Sequence, residues 1–472
     1  MALIKSISGI RGTIGGKIND NLTPIDAVKF AAAYGTWLAN SQENQSDKKL
    51  KVIIGRDARI SGEMISQLVS STLIGLGIDV IDLGLSTTPT VEVMVPHLEA
   101  DGGIILTASH NPKQWNALKL LNAKGEFVSG MDGAEILKIA ENDDYHFAEV
   151  DDLGTYEKNE EGIQIHIDKI LQLPLVNADA IAEKKFKVVI DAVNSTGGIS
   201  IPPLLDKLGV EYVKLYCDPT GHFPHNPEPL KEHLTDISKK VVEEKADFGI
   251  VVDPDVDRLA IISEDGEMFG EEYTLVAVAD YVLGKTPSAT VSNLSSSRAL
   301  RDIAEKHGQK YEASAVGEVN VVTKMKENGA KIGGEGNGGI IYPELHYGRD
   351  SLVGIALFLS HLAEKEMKVS ELRASYPPYF MGKKKIELTP EIDVDALLQK
   401  VEEKYRNEDI STSLNVTGIS TVDGVKIDFE NGWVHLRKSN TEPIIRIYTE
   451  APTQQEADDL GDRFIAELQT MG

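Results

Sequence analysis

Three carboxylates at alternate positions, Asp253, Asp255 and Asp257, follow the apolar run at 248–252 in the stretch Phe-Gly-Ile-Val-Val-Asp-Pro-Asp-Val-Asp-Arg. Alternate side chains of an extended backbone share a face, so the spacing predicts three like charges held together. Such a set repels itself unless a cation sits within it, and hard oxygen ligands with few others select Mg²⁺, here one ion. A solvated acidic loop is the plain alternative in a chain this acidic. A calcium loop starting at Asp253 would put Glu264 at its twelfth position, but Arg258 stands where the sixth needs glycine, which excludes that reading. An aspartate-nucleophile phosphatase also places Asp-x-Asp after an apolar strand and is a rival for this segment.

The segment Thr107-Ala-Ser109-His110-Asn111-Pro112 follows another apolar run and ends in a turn signal. Its serine hydroxyl is expected to be exposed. Serine is a weak nucleophile, so phosphoryl exchange on it needs a proton acceptor and positive charge nearby, for which His110 and Lys119 are in local reach. The competing reading makes Ser109 and Asn111 caps of a following helix.

Two further segments suit a phosphorylated sugar. The stretch Ile332-Gly-Gly-Glu335-Gly-Asn337-Gly-Gly339 is too glycine-rich for a stable strand or helix and reads as a loop at a strand end, where Glu335 and Asn337 could bond sugar hydroxyls. The stretch Arg437-Lys-Ser439-Asn440-Thr441-Glu-Pro443, followed by Arg446, gathers forked cations and hydroxyls between two strand-like runs, a composition suited to phosphate. Each has an ordinary turn as its alternative.

The elements that must position these groups read as α/β. Apolar β-rich runs near 51–54, 104–106, 188–191, 248–252, 290–291 and 331–335 each run into a polar loop, with amphipathic stretches between them. The first such helix starts at Thr23-Pro24. The last hundred residues differ: strand-like runs at 425–429, 433–437 and 444–448 are separated by Asp423-Gly424 and Asn431-Gly432, and a helix spans about 454–468, which predicts a small α+β domain with an antiparallel sheet. Expected boundaries give segments 1–155, 156–260, 261–374 and 375–472.

Composition bounds the partners. The 472 residues carry 48 Lys plus Arg against 74 Asp plus Glu, a formal net charge of −26, which disfavours nucleic acid and requires any anionic substrate to bind where basic groups are concentrated. No apolar run approaches the length of a membrane span, and the start lacks a signal-peptide core, so the expected location is the cytoplasm, without a membrane partner. The single cysteine, Cys217, reads as a small partly buried side chain. A monomer and a homo-oligomer fit the sequence equally.

Taken in order, residues 8–12 (Ser-Gly-Ile-Arg-Gly), 107–112, 253–258, 334–338 and 437–443 resemble the α-D-phosphohexomutase family from near the first residue to near the last. The resemblance implies a heart-shaped fold: three related α/β domains with mixed sheets and a smaller C-terminal α+β domain, around a central cleft. It implies that Ser109 is the phosphoserine and, with Asp253, Asp255 and Asp257, a ligand of Mg²⁺. Arg258 then steadies that phosphate, and Arg11, His110 and Lys119 stand near the reacting groups. Glu335 and Asn337 fall in the sugar loop, while Arg437, Ser439, Asn440 and Thr441, with Arg446 close by, grip the non-reacting phosphate. The implied reaction interconverts hexose 6-phosphate and hexose 1-phosphate through a hexose 1,6-bisphosphate, which is both intermediate and activator.

The chain departs from many members at Pro254, where glycine is common, and at Asn337-Gly338-Gly339, where a serine and a glycine-histidine are common; His346 and Lys119 are the alternatives for that histidine's proton transfer. The loops look most like the archaeal-type branch. This favours a phosphoglucosamine mutase, with a dual-specificity phosphomannomutase/phosphoglucomutase as the alternative. A non-catalytic phosphosugar sensor is the rival outside enzymes.

Overall fold

Thr23 starts the first helix as its chemistry requires: its side chain accepts from the Asp26 amide and the Asp26 carboxylate accepts from the Thr23 amide, a reciprocal cap on the helix Pro24–Asn40. That helix buries Phe30, Tyr34 and Leu38. The Tyr34 hydroxyl donates to the Leu121 carbonyl at 2.6 Å. A Cβ at Gly102 would lie 2.1 Å from that hydroxyl, so glycine at this strand start lets the ring approach.

The computed structural model describes residues 3–6, 9–41, 48–387, 393–407, 415–438 and 444–471. The chain packs as two units, Met1–Lys285 with Asn337–Leu372, and Thr286–Gly336 with Arg373–Gly472.

In the first unit, β1 (Ile4–Ser6), β2 (Gly9–Thr13), β3 (Lys51–Arg56), β4 (Asp79–Leu85), β5 (Gly102–Leu106), β6 (Trp115–Leu121) and β7 (Tyr156–Lys158) form one mixed sheet, ordered β1-β2-β6-β5-β3-β4-β7. Strands β3, β4, β5 and β7 run parallel, and β6 is antiparallel to β5. A second sheet holds β8 (Lys187–Asp191), β9 (Glu211–Leu215), β10 (Phe248–Val252) and β11 (Leu259–Ser263), ordered β11-β10-β8-β9. Within each sheet the core strands lie fourth, third, first, second in chain order. In the second unit β12 (Thr290–Asn293), β13 (Tyr311–Ser314) and β14 (Ile332–Glu335) repeat the third-first-second part of that order, all parallel, and β15 (Gly339–Ile341) belongs to the first unit. This shared order makes the three α/β domains relatives, although no sequence repeat announces it.

Three expectations about these elements change. Strand β7 pairs with β4, so the first sheet extends past residue 155, and β11 carries the second sheet to Ser263, past residue 260. Of the two readings of 332–335, strand and glycine-rich loop, the strand holds, because Gly333 answers to packing: a Cβ there would meet the Met325 sulfur at 2.6 Å. The strand survives its weak propensity through the helix Glu318–Asn328 laid over it.

The C-terminal domain is the expected antiparallel sheet. Strands β16 (Phe380–Glu387), β17 (Val416–Ser420), β18 (Val425–Phe429), β19 (Gly432–Lys438) and β20 (Ile444–Ala451) follow the order β16-β20-β19-β18-β17. Its inner face packs Leu436, Ile445 and Ile447 against Val401, Tyr405, Phe464 and Leu468 of the helices Val394–Arg406 and Gln454–Met471.

Within the second unit, β19 also meets the loop after β12. His435 is buried, with Nδ1 2.9 Å from the Ser295 hydroxyl and Nε2 2.6 Å from the Asp423 carbonyl. Burial is the main cause that brings this imidazole down to about 4 from its usual 6.5. A folded-state value below the unfolded one stabilises the fold above pH 6.5 and loses that contribution as pH falls towards 4. His435→Gln is therefore expected to flatten the fall in urea midpoint between pH 6.5 and 4; an unchanged slope contradicts the assignment.

Candidate active site

Ser109 sits on the turn that leaves β5, with φ of +49° and only 3% of its surface exposed. The expectation of an exposed hydroxyl fails because the turn is buried against the loop after β10. The Ser109 hydroxyl donates to Asp253 Oδ2 at 2.7 Å, and its amide donates to the Thr107 hydroxyl at 2.9 Å. Strand β6 follows this turn, not a helix, so neither Ser109 nor Asn111 caps one. The Asn111 side chain accepts from the Arg11 guanidinium at 2.7 Å instead.

One cation holds the turn from below. Arg59 is 1% exposed, and its guanidinium donates to the carbonyls of Ser109, of Asn111 and Pro112 at 2.8 Å, and of Trp115 at 3.0 Å. Its Nε donates to Asp57 Oδ2 at 2.8 Å, the oxygen that also accepts from the Thr107 hydroxyl at 2.7 Å. The charged loop after β3 is thus an internal brace for the serine turn.

Asp253, Asp255 and Asp257 are each fully buried, and one carboxylate oxygen from each lies within 4.8 Å of the others. They converge by a different route from the one the spacing suggests. The backbone is turned rather than extended: Val256 adopts φ of +63°, a costly conformation for a β-branched residue, and the amides of Asp257 and Arg258 donate back to Asp253 Oδ1, both at 3.2 Å. Pro254 offers its carbonyl to the hydroxyls of Ser195 at 2.7 Å and Thr196 at 2.8 Å, so the proline that replaces glycine sits in an anchored turn.

Cations face this triad. Lys119 Nζ donates to Asp255 Oδ2 at 2.8 Å and to Asp257 Oδ2 at 3.4 Å. Arg349 donates to Asp257 Oδ2 at 2.7 Å, and the Thr88 hydroxyl donates to Asp255 Oδ2 at 2.6 Å. Burial, then the charges of Asp257 and Asp255, pushes the Asp253 carboxyl well above its usual range. Burial also opposes the ionisation of Asp255, but the Lys119 ammonium outweighs it and holds that carboxyl far below its usual range. The same pairing overcomes the burial of Lys119 and raises its ammonium. His110 Nδ1 lies 3.4 Å from the Ser109 hydroxyl, and burial, followed by the charges of Arg258, Arg11 and Arg349, lowers its imidazole well below 6.5.

Asp255 Oδ1 and Asp257 Oδ1 are buried without a hydrogen-bond partner among the described residues. Two orphaned carboxylate oxygens in a set of three fit a divalent cation and do not fit a solvated loop. Arg258 Nε is also buried without a partner, and its Nη1 is 3.6 Å from Glu228 Oε1, which leaves donor capacity for an anion.

Glu335 ends β14 in the second unit, 5% exposed, and its Oε1 accepts from the Asn293 amide group at 2.8 Å and the Gly317 amide at 3.2 Å. Asn337 opens a stretch of the first unit and accepts from the Gly339 amide at 3.2 Å. The two stand two residues apart, Glu335 at the end of β14 and Asn337 in the turn that follows it. Ser439, Asn440 and Thr441 lie outside the described residues, as does Ser8. Arg437 and Arg446 are directly opposed on β19 and β20, and Lys385 of β16 is opposite Arg446. Arg437 is partly neutralised by Asp423, whose Oδ2 is 3.2 Å from its Nε, and Arg446 lies beside the Tyr448 hydroxyl.

Sequence reasoning missed Arg59, Arg349, Thr88 and Lys385. Lys385 and Arg446 align only through strand register, which sequence does not disclose. Arg59, two residues after a charged strand end, could have been marked as a potential brace. His346, one alternative for the absent loop histidine, is 8% exposed at its side chain and engaged with Glu92 and Asp350 rather than with the serine turn.

Similarity to known proteins is extensive. Residues 3–147, 164–266 and 270–379 match alpha/beta/alpha domains I, II and III of phosphoglucomutase/phosphomannomutase, and residues 387–467 match its C-terminal domain. A phosphoglucomutase/phosphomannomutase of Thermococcus kodakarensis is 36% identical over 450 residues, 94% of this chain and 95% of that one. A probable phosphoglucosamine mutase of Methanopyrus kandleri is 32% identical over 460 residues, 97% of this chain and 96% of that one. The crystal structure of a phosphoglucomutase/phosphomannomutase family protein from Burkholderia thailandensis superposes with a TM-score of 0.83 at 24% identity, covering 99% of this chain and 97% of that one.

Proposed function

We propose that this chain, which belongs to the phosphoglucomutase/phosphomannomutase family of phosphohexomutases, carries its transferable phosphate on Ser109 and acts on glucosamine phosphates. The enzyme class is a phosphohexomutase. The observation that carries the residue assignment is the 2.7 Å bond from the Ser109 hydroxyl to a buried aspartate triad ringed by Lys119, Arg11 and Arg349.

In this reading Asp253, Asp255 and Asp257, with the serine's phosphate, hold one Mg²⁺. When bound, that ion draws negative charge from the transferring phosphoryl oxygens. The chain's residues do the rest. Arg59 and Asp57 fix the serine turn, and Arg258 and Arg11 steady the phosphoryl group by charge. As the bond from phosphorus to the sugar oxygen forms, the bond to Ser109 Oγ breaks, and the proton leaving the sugar hydroxyl passes to that oxygen. We assign that transfer to His110 and Lys119. The resulting hexose 1,6-bisphosphate turns over, and its other phosphate returns to Ser109. The row Arg437, Arg446 and Lys385, with Ser439, Asn440 and Thr441, grips whichever phosphate is not reacting.

Glucosamine as the sugar is supported by the name of the Methanopyrus relative, whereas the Thermococcus relative's name supports a dual-specificity phosphoglucomutase/phosphomannomutase. Among the described residues no helix is long and apolar enough to cross a membrane, and we place the enzyme in the cytoplasm. The test compares kcat/KM on glucosamine, glucose and mannose phosphates with a trace of the 1,6-bisphosphate. A lead for glucosamine is expected; equal turnover of glucose and mannose above it gives the second reading. Glu335→Gln is expected to lower kcat/KM about 10- to 100-fold, the worth of one charged hydrogen bond to a sugar hydroxyl. Unchanged kinetics remove Glu335 from the sugar site.

A further inference from the structure

A second cluster of ligand-type side chains lies in the first unit, outside the serine and aspartate turns. His166 of the helix Gly162–Leu171, His346 and Asp350 each offer an atom within 4.8 Å of the others. Asp350 Oδ2 is 2.9 Å from His166 Nε2 and 3.3 Å from His346 Nε2. The Asp350 side chain is 0% exposed, His166 0% and His346 8%.

The other nitrogen of each ring is also placed. His166 Nδ1 is 3.0 Å from the Thr90 hydroxyl, which is itself 2.7 Å from that of Thr87. His346 Nδ1 lies 3.3 Å from Glu92 Oε2, within ion-pair reach but without a hydrogen bond among the described residues. Gly348 makes this approach possible, since a Cβ there would fall 2.0 Å from Glu92 Oε2. Imidazoles that bind a metal through one nitrogen habitually give the other to a hydroxyl or carboxylate, which fixes tautomer and ring plane. Two Nε2 atoms and one carboxylate oxygen converge on a single buried point. In the tautomer that carries the protons on Nδ1 their lone pairs repel one another unless a cation sits there.

We propose that His166, His346 and Asp350 form a structural site for a divalent transition metal, with zinc as the ion that two imidazoles and a carboxylate favour. Thr90 orients the His166 ring, and Glu92 lies within ion-pair reach of His346. The bound ion pins residues 346–350, and with them Arg349, whose guanidinium meets Asp257 of the aspartate triad at 2.7 Å. Asp350 Oδ1 meanwhile caps the helix Ser351–Lys365, accepting from Leu352 at 2.8 Å.

Elemental analysis of tag-free protein, grown in zinc-supplemented medium and gel-filtered in Mg²⁺ buffer without chelator, tests this. The expected result is about one zinc per chain, with visible d–d absorption when the protein is loaded with Co²⁺ instead. Asp350→Asn also removes a helix cap, so His346→Gln, which leaves that cap, is the deciding variant. It is expected to lose at least about five-sixths of the zinc with unchanged far-ultraviolet circular dichroism, whereas Asp255→Asn keeps the zinc and so separates this site from the Mg²⁺ triad. Wild-type protein with less than about a tenth of an equivalent of zinc and no Co²⁺ absorption overturns the proposal and leaves a hydrogen-bonded cluster with protonated Nε2 atoms. Retention of full zinc by His346→Gln also overturns it.

Discussion

Ser109→Ala is expected to lower kcat/KM for hexose phosphate interconversion by about 10⁴-fold or more, the scale on which a lost covalent nucleophile acts. The physical reason is local. Among the described residues of the β5 turn, the Ser109 hydroxyl is the group that bonds Asp253. The variant is expected to fold, since it gives up one buried hydrogen bond, worth about 1 kcal/mol. Kinetics and urea unfolding on the same preparation separate the two effects. Activity within tenfold of wild type would remove Ser109 from the reaction and return attention to Asp253 as the nucleophile of a phosphatase, read out as inorganic phosphate released without isomerisation.

The second large effect concerns a residue that touches no substrate. Arg59→Ala strips a buried carboxylate, Asp57, of its ion pair and leaves four carbonyls of the serine turn without that donor. Breaking a buried pair from one side costs about 3–5 kcal/mol. A serine turn released by even an ångström is expected to lose about 10²-fold in kcat. Arg59→Lys sharpens the prediction, because an ammonium restores the charge but cannot fork to several carbonyls at once. It should recover part of the stability and little of the rate, with KM close to wild type. If Arg59→Lys matches wild type in kcat, the brace is dispensable and the turn holds itself.

Much of this was legible in the sequence. Apolar runs followed by polar turns located the core strands of all three α/β domains, and the serine and aspartate segments stood at strand ends where the fold indeed brings them together. What sequence could not give was the means of convergence. The aspartates meet through a strained turn at Val256 and not through alternation along a strand. Gly333 also read as a loop residue because its service to helix packing depends on Met325, which arrives from another element. Arg349 reaches Asp257 across 92 residues of chain, and Arg437, Arg446 and Lys385 align only once three strands take their register. Local pattern encodes elements; long-range pairing of charges is encoded only by the fold.

The most direct test of the central claim follows a labelled phosphate. Enzyme mixed with hexose 1,6-bisphosphate labelled in its phosphates is quenched, digested and mapped, and a second portion is chased with unlabelled hexose 6-phosphate before quenching. The account predicts about one acid-stable phosphate per active chain, confined to the peptide bearing Ser109 and passed to sugar during the chase at a rate no slower than turnover. Label on the Asp253 peptide, or rapid turnover with Ser109 unlabelled, would contradict it.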